Sequence, residues 1–217
     1  MTRHLLFLAL AFTAPAFAAG GEDIDKVNGS IRLRDNQVGG ALSTVNGSIS
    51  LDDHAKADTV ETVNGSIELG ADTSVHSLET VNGGISLGER SRVDRKVDTV
   101  NGAISLARGA EALGKVSNVN GRIRLDAAHI AGGIETVNGD IDVGADSKVE
   151  GGIFVDENKG THWGRQKLPR IVIGPHAVVD GRMVFKREVE LFVSDSAKIG
   201  TVEGAKAVTF SGAQPAN

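Results

Sequence analysis

The densest concentration of charge lies between residues 159 and 187. Lys159, Arg165, Lys167, Arg170, Arg182, Lys186 and Arg187 meet a single acid there, Asp180, so the segment carries +6 in a chain of net −5 and the remainder carries −11. His162 and Trp163 fall in the same stretch. Clustered cations beside an aromatic ring suit an anionic partner: an acidic envelope polysaccharide, the phosphates of lipopolysaccharide, or the acidic flank of a second copy. A plain solvated loop is the alternative, and the sequence leaves both open. The acidic balance of the whole chain makes nucleic acid a poor partner.

Two further groups of polar residues recur at a fixed spacing. Asp25, Ser43, Glu61, Glu79, Asp98, Ser117 and Glu135 form one set, and Thr44, Thr62, Thr80, Thr99, Asn118 and Thr136 form the set beside it. Carboxylates stacked at strand spacing, about 5 Å apart, repel one another and attract cations. That column reads as a weak divalent-cation or surface-binding stripe, or as a solvated face relieved by nearby Lys and Arg. A flat outward array of Thr would order water, although Thr is also simply a good strand residue.

Enzyme signatures are missing. The chain has no phosphate-binding loop and no His-Glu-x-x-His pair. With no cysteine there are no disulfides, thiolate zinc sites or thiol nucleophiles. No cofactor and no metal site is assigned. A β-helix lyase or hydrolase would have to draw on acids such as Asp94, Asp156 or Asp180. Carbohydrate sites favour aromatic platforms, and Trp163 is the only Trp or Tyr in the chain.

What positions all of these residues is a repeat. Val-Asn-Gly-x-Ile occurs seven times, with its asparagines at Asn28, Asn46, Asn64, Asn82, Asn101, Asn120 and Asn138, separated by 18, 18, 18, 19, 19 and 18 residues. A fixed period of this length signals a solenoid. After each Asn-Gly comes Ile-x-Leu, or Ile-x-Val in the last copy, with a polar residue at x: Arg32, Ser50, Glu68, Ser86, Ser105, Arg124 and Asp142. That is a strand alternation with one face inward. The reading is an all-β, single-stranded parallel β-helix of about 18 residues per coil. Two or three short strands per coil would stack on their counterparts about 4.8 Å away. Asn-Gly turns the corner, with Gly in the left-handed region, and the stacked Asn amides can bond along the axis as a ladder. The phrase thus supplies both corner and core.

The chain divides accordingly. Residues 1–18 read as a cleavable signal peptide, with Arg3 and His4 before an apolar run and Ala16-Phe17-Ala18 at the cut. Export follows, to the periplasm, the outer surface or the medium. No stretch is long and apolar enough for a transmembrane helix. Residues 19–155 form the regular coils, 156–170 a projecting polar loop, 171–210 about three irregular closing coils, and 211–217 a disordered tail. Lys186, Arg187, Glu188 and Glu190 place charge near the open edge, which discourages edge pairing.

The Thr-Val-Asn-Gly-Ser-Ile-x-Leu unit resembles the bacterial adhesin-repeat family of unknown function, in which a Val-(Ser/Asn)-Gly-(Asp/Ser)-Ile phrase recurs. The stretch from Ile171 to Gly181, IVIGPHAVVDG, resembles bactofilins, the polymer-forming β-helix proteins. The resemblances imply a parallel β-solenoid, usually right-handed, with no catalytic residues to carry over. Bactofilins usually lack a cleavable signal, and an 18-residue period also suits three hexapeptides of a left-handed helix, so the hand stays open. The function expected is a non-enzymatic structural, adhesive or scaffold role at the cell envelope. The alternative is a carbohydrate-active or polysaccharide-binding β-helix acting on an anionic glycan.

If Ile67 points into a stacked core, Ile67→Asp buries an unpaired charge, which costs several kcal/mol or more. The variant should lose its cooperative thermal transition by circular dichroism. An unchanged melting curve would contradict the solenoid.

Overall fold

The computed structural model describes residues 20–157 and 167–215. The proposed signal peptide, and Lys159, His162, Trp163 and Arg165 of the basic segment, lie outside the described residues. Every element among the described residues is a strand or a turn, and every strand pairing is parallel. The molecule is a β-solenoid of about ten coils. Two sheets carry it, one of ten strands and one of sixteen.

The ten-stranded sheet is built from the Ile-x-Leu segments. It begins at Ile31–Leu33, Ile49–Leu51, Ile67–Leu69 and Ile85–Leu87, and ends at Arg170–Ile173, Glu190–Ser194 and Ala207–Phe210. Residues pair with their exact repeat counterparts, Ile67 with Ile85 and Leu69 with Leu87. Like therefore lies over like, and β-branched side chains pack well on such a surface. Ile49, Ile67, Ile104 and Ile123 are wholly buried.

The second sheet changes shape along the axis. In the early coils one long strand fills it: Gly39–Asn46, Lys56–Asn64 and Ser74–Asn82. From the next coil onward each long strand becomes two short ones, first Arg92–Val93 and Val97–Asn101. Both lie on Ser74–Asn82, with Val93 over Val75 and Val97 over Leu78. Leu78 lies three positions after Val75, and Val97 lies four positions after Val93. The added residue cannot stay in register within a straight strand, so the chain turns a corner and the coil gains a third side. This is the origin of the first 19-residue spacing. The last 18-residue spacing is a three-sided coil that lost a residue elsewhere: Leu125 to Ile130 is five positions, where Leu106 to Ala112 is six.

Two features of the corner differ from the sequence reading. Left-handed residues sit mainly at a different corner, three positions past the inward Leu, Val or Ile: Asn36, His54, Asp72, Arg90, Asp146 and His176. Of the Asn-Gly glycines only Gly29 and Gly121 have φ in that region, at 109° and 122°. The others are glycine because the coils touch there. A Cβ on Gly83 would lie 1.9 Å from the Gly65 carbonyl oxygen, and one on Gly102 would lie 1.8 Å from that of Gly83. The Val of the phrase also faces outward, and Val27 is 68% exposed. The core residue is the one three positions earlier: Leu42, Val60, Leu78, Val97, Val116 and Ile134.

The closing coils are strands at Arg170–Ile173, Met183–Phe185, Glu190–Ser194 and Ala207–Phe210. Glu190 is not at the edge as expected, because its strand is covered by Ala207–Phe210. The edge charges are Lys198 and Glu203 on the final strands. Past the last strand, Pro215 is buried.

Gly83→Ala should therefore destabilise the fold by about 1–3 kcal/mol as overpacking, or on the order of 5–10 °C in melting temperature. Gly84→Ala, whose Cβ would meet the Ala103 oxygen at 3.2 Å, should melt close to wild type. Equal melting temperatures for the two would refute contact as the reason for glycine.

Candidate functional site

Seven asparagines line the first corner as a single hydrogen-bonded ladder. Asn46 Nδ2 donates to Asn28 Oδ1 at 3.0 Å, and the pattern continues through Asn64, Asn82, Asn101 and Asn120 to Asn138, with distances between 2.8 and 3.1 Å. All six bonds point the same way, so the amide dipoles add. The acceptor end of the ladder is Asn138 Oδ1, and Arg187 closes it, its Nη1 lying 2.5 Å from that oxygen and 3.1 Å from the Val137 carbonyl. A cation at the negative end of aligned dipoles is the favourable placement, by the same electrostatics as at a helix C-terminus.

The threonine column is internal. Thr44, Thr62, Thr80, Thr99 and Thr136 are buried. The first four hydroxyls donate to the carbonyls of Gly29, Gly47, Gly65 and Gly83. A water-ordering role is thereby corrected. The residue next to the inward core position on the same face also points inward, and its hydroxyl ties each corner to the coil before it.

The carboxylate column does face outward and is one stack. Asp25 pairs with Ser43, Ser43 with Glu61, Glu61 with Glu79, Glu79 with Asp98, Asp98 with Ser117 and Ser117 with Glu135. Lys96 binds Glu79 at 2.6 Å and Lys115 binds Glu135 at 2.7 Å. Ser117 donates to Asp98 at 2.8 Å. Partial burial, then the neighbouring Glu79, raises the Glu61 carboxyl above the usual range. Burial likewise raises Asp98 despite its serine. Among the described residues no group of three or more His, Asp or Glu is arranged to hold a metal ion.

The basic residues that are described meet different partners. Lys167 binds Asp140 at 2.8 Å. The Arg170 amide donates to the same carboxylate at 2.9 Å, and its guanidinium lies over the Phe192 ring, 5.1 Å from the centroid. Lys186 sits over Phe154 and 3.4 Å from Asp156. Arg187 caps the ladder. Arg182 makes no ion pair among the described residues and borders a shallow depression of about 320 Å³ with Lys115, Glu135, Phe154 and Val184. Of the described cations, Lys167, Arg170, Lys186 and Arg187 are thus tied into the wall of the solenoid.

Asp140 was missed by the sequence reading. It occupies the position held by Ser30, Ser48 and Ser66 in earlier copies, and it holds Lys167 and the Arg170 amide at the start of the next strand. Burial would raise its pKa, but the Arg170 amide, Lys167 and Arg122 outweigh burial and hold it below the usual range. The departure from serine was the available signal. Its partners, 27 and 30 residues away, were not readable.

The two carboxyls make opposite contributions to stability. A raised folded pKa, as at Glu61, gives stabilisation that is present in acid and lost as pH rises through it. A lowered one, as at Asp140, gives stabilisation present above the ordinary carboxylate value and lost as pH falls through the folded one. Glu61→Gln should therefore melt above wild type at neutral pH, and Asp140→Asn should melt below it by about 2 kcal/mol, the order of hydrogen bonds to a charged group. Both differences should shrink in acid. Melting curves that stay apart by the same amount at low pH would count against this assignment.

No family model, curated protein or solved structure matches this chain.

Proposed function

We propose that this protein is an exported, non-enzymatic scaffold of the bacterial cell envelope that works through its long ladder faces. The observation carrying this reading is the engagement of its repeated polar residues by the fold itself. Asparagine bonds asparagine, threonine bonds the glycine corner, and Lys96 and Lys115 pair with Glu79 and Glu135 of the carboxylate column. What the molecule presents outward is a stiff rod of periodic columns, about 4.8 Å from coil to coil, suited to adhesion or spacing rather than to turnover. The N-terminal sequence supports export, and no helix among the described residues is long and apolar enough to cross a membrane. The Val-Asn-Gly-x-Ile unit supports kinship with adhesin repeats, and the segment from Ile171 to Gly181 supports kinship with bactofilins.

A second reading, binding or cleavage of an anionic glycan, is favoured by one feature: Arg182 beside the Phe154 side chain at the open depression. Tagged full-length chain, expressed in a Gram-negative host, should be recovered from the envelope or medium with its first 18 residues removed. Purified chain should release no new reducing ends from a panel of acidic polysaccharides. Retention in the cytosol with an uncut N-terminus would overturn the export reading. Product release abolished by Asp156→Ala or Asp180→Ala would overturn the non-enzymatic one.

A further inference from the structure

Asn-Gly is the dipeptide in which the backbone most easily attacks its own side chain, because glycine leaves the following nitrogen unobstructed. Seven copies on one exposed corner would make this chain chemically fragile unless the fold protected them. The protection is visible in the hydrogen bonds. The nitrogens of Gly29, Gly47, Gly65, Gly83 and Gly102 each donate to the asparagine carbonyl of the following coil, at 2.9, 3.1, 3.2, 3.1 and 3.0 Å. Gly139 donates instead to Thr136 Oγ1 at 2.9 Å and is buried. Each nitrogen is thereby held protonated and turned along the axis.

Gly121 is the exception. Among the described residues its nitrogen has no acceptor, it is exposed to solvent, and its φ of 122° departs from the corners on either side. The cause lies one column inward. Asn118 stands where the neighbouring coils carry threonine. Its side chain donates to the carbonyls of both Gly102 and Gly121, and its Oδ1 accepts the Thr136 hydroxyl at 2.7 Å. In the other coils that hydroxyl bonds the glycine carbonyl of the preceding corner. Here it bonds Asn118 instead and the Gly139 nitrogen donates back to it at 2.9 Å, while the Asn138 nitrogen keeps its bond to Val119 O at 2.8 Å. The Asn138 carbonyl then no longer receives Gly121.

We propose that Asn120–Gly121 is a built-in site of spontaneous deamidation. The Gly121 nitrogen loses its proton to solvent base and attacks Asn120 Cγ. The C–Nδ2 bond breaks, ammonia leaves, and a succinimide ring forms. Water then opens either carbonyl to give aspartate or isoaspartate. One water enters, one ammonia leaves, and no oxidant or enzyme takes part. The product removes the Nδ2 donor that binds Asn101 Oδ1 at 2.8 Å and sets a negative charge into the ladder between its fifth and seventh residues. Isoaspartate also adds a methylene to the backbone at the corner. The site therefore marks chain age on the ladder corner.

The test is peptide mapping by mass spectrometry after incubating the purified folded chain in mildly alkaline buffer. Asn120 should deamidate about tenfold faster than Asn46, Asn64, Asn82 or Asn101, a rate ratio equivalent to about 1.4 kcal/mol, which is the order of one net backbone hydrogen bond. In guanidinium all seven sites should react alike. Asn118→Thr restores the residue of the other coils, and Asn120 should then slow to the rate of its neighbours. Uniform rates in the folded chain, or a fast Asn120 in folded Asn118→Thr, would overturn the proposal. Should that variant fail to fold, amide hydrogen exchange of the parent decides: Gly121 must exchange faster than Gly47, Gly65, Gly83 and Gly102, and equal protection would sink the idea.

Discussion

Parallel stacking at one strand spacing is the constraint from which the rest of this structure follows. When each coil lies directly on the last, every residue meets its own counterpart. Such a column must be compatible with itself. Ile and Leu satisfy that by packing and Asn by carrying both donor and acceptor. Glycine satisfies it at the corner, because its hydrogen leaves room for the neighbouring carbonyl. Threonine satisfies it by donating to that carbonyl. Charged residues satisfy it only with help, and Lys96 and Lys115 supply that help to the acidic column. With no cysteine in the chain, the stability of the rod rests on these columns.

The same constraint explains why departures from the repeat matter more than the repeat itself. A single added residue between Val93 and Val97 turns a two-sided coil into a three-sided one. A single asparagine in the threonine column, Asn118, rearranges the bonding of two corners. Asp140 in place of serine becomes the anchor for Lys167 and Arg170. Arg187 ends the ladder where asparagine no longer continues it. Changes of this kind spread to the adjoining coils because each coil is also the surface on which the next one is laid.

Much of this was legible beforehand. The seven Val-Asn-Gly-x-Ile units gave away the period, the Ile-x-Leu alternation gave the inward face, and the asparagine spacing gave the ladder. The basic segment was legible only as composition. Once folded, Lys167, Lys186 and Arg187 turn toward Asp140, Asp156 and Asn138, partners that sequence distance conceals. The corner glycines were recognised for the wrong reason, because a left-handed turn and a close backbone contact both select glycine and only coordinates separate them.

Sequence alone determined the solenoid, its coil length and the column to which each repeated residue belongs, since a strict period leaves a parallel stack few other arrangements. Tertiary structure decided which way each column faces. Val turned outward and Thr inward because the alternation is counted from the buried residue three positions before Val, not from Val itself. Structure also decided which of seven identical Asn-Gly corners stands unprotected. The Val-Asn-Gly phrase is the same at all of them, and the change to Asn118 acts through its bonds to the adjoining coils, which decide whether the glycine nitrogen finds an acceptor.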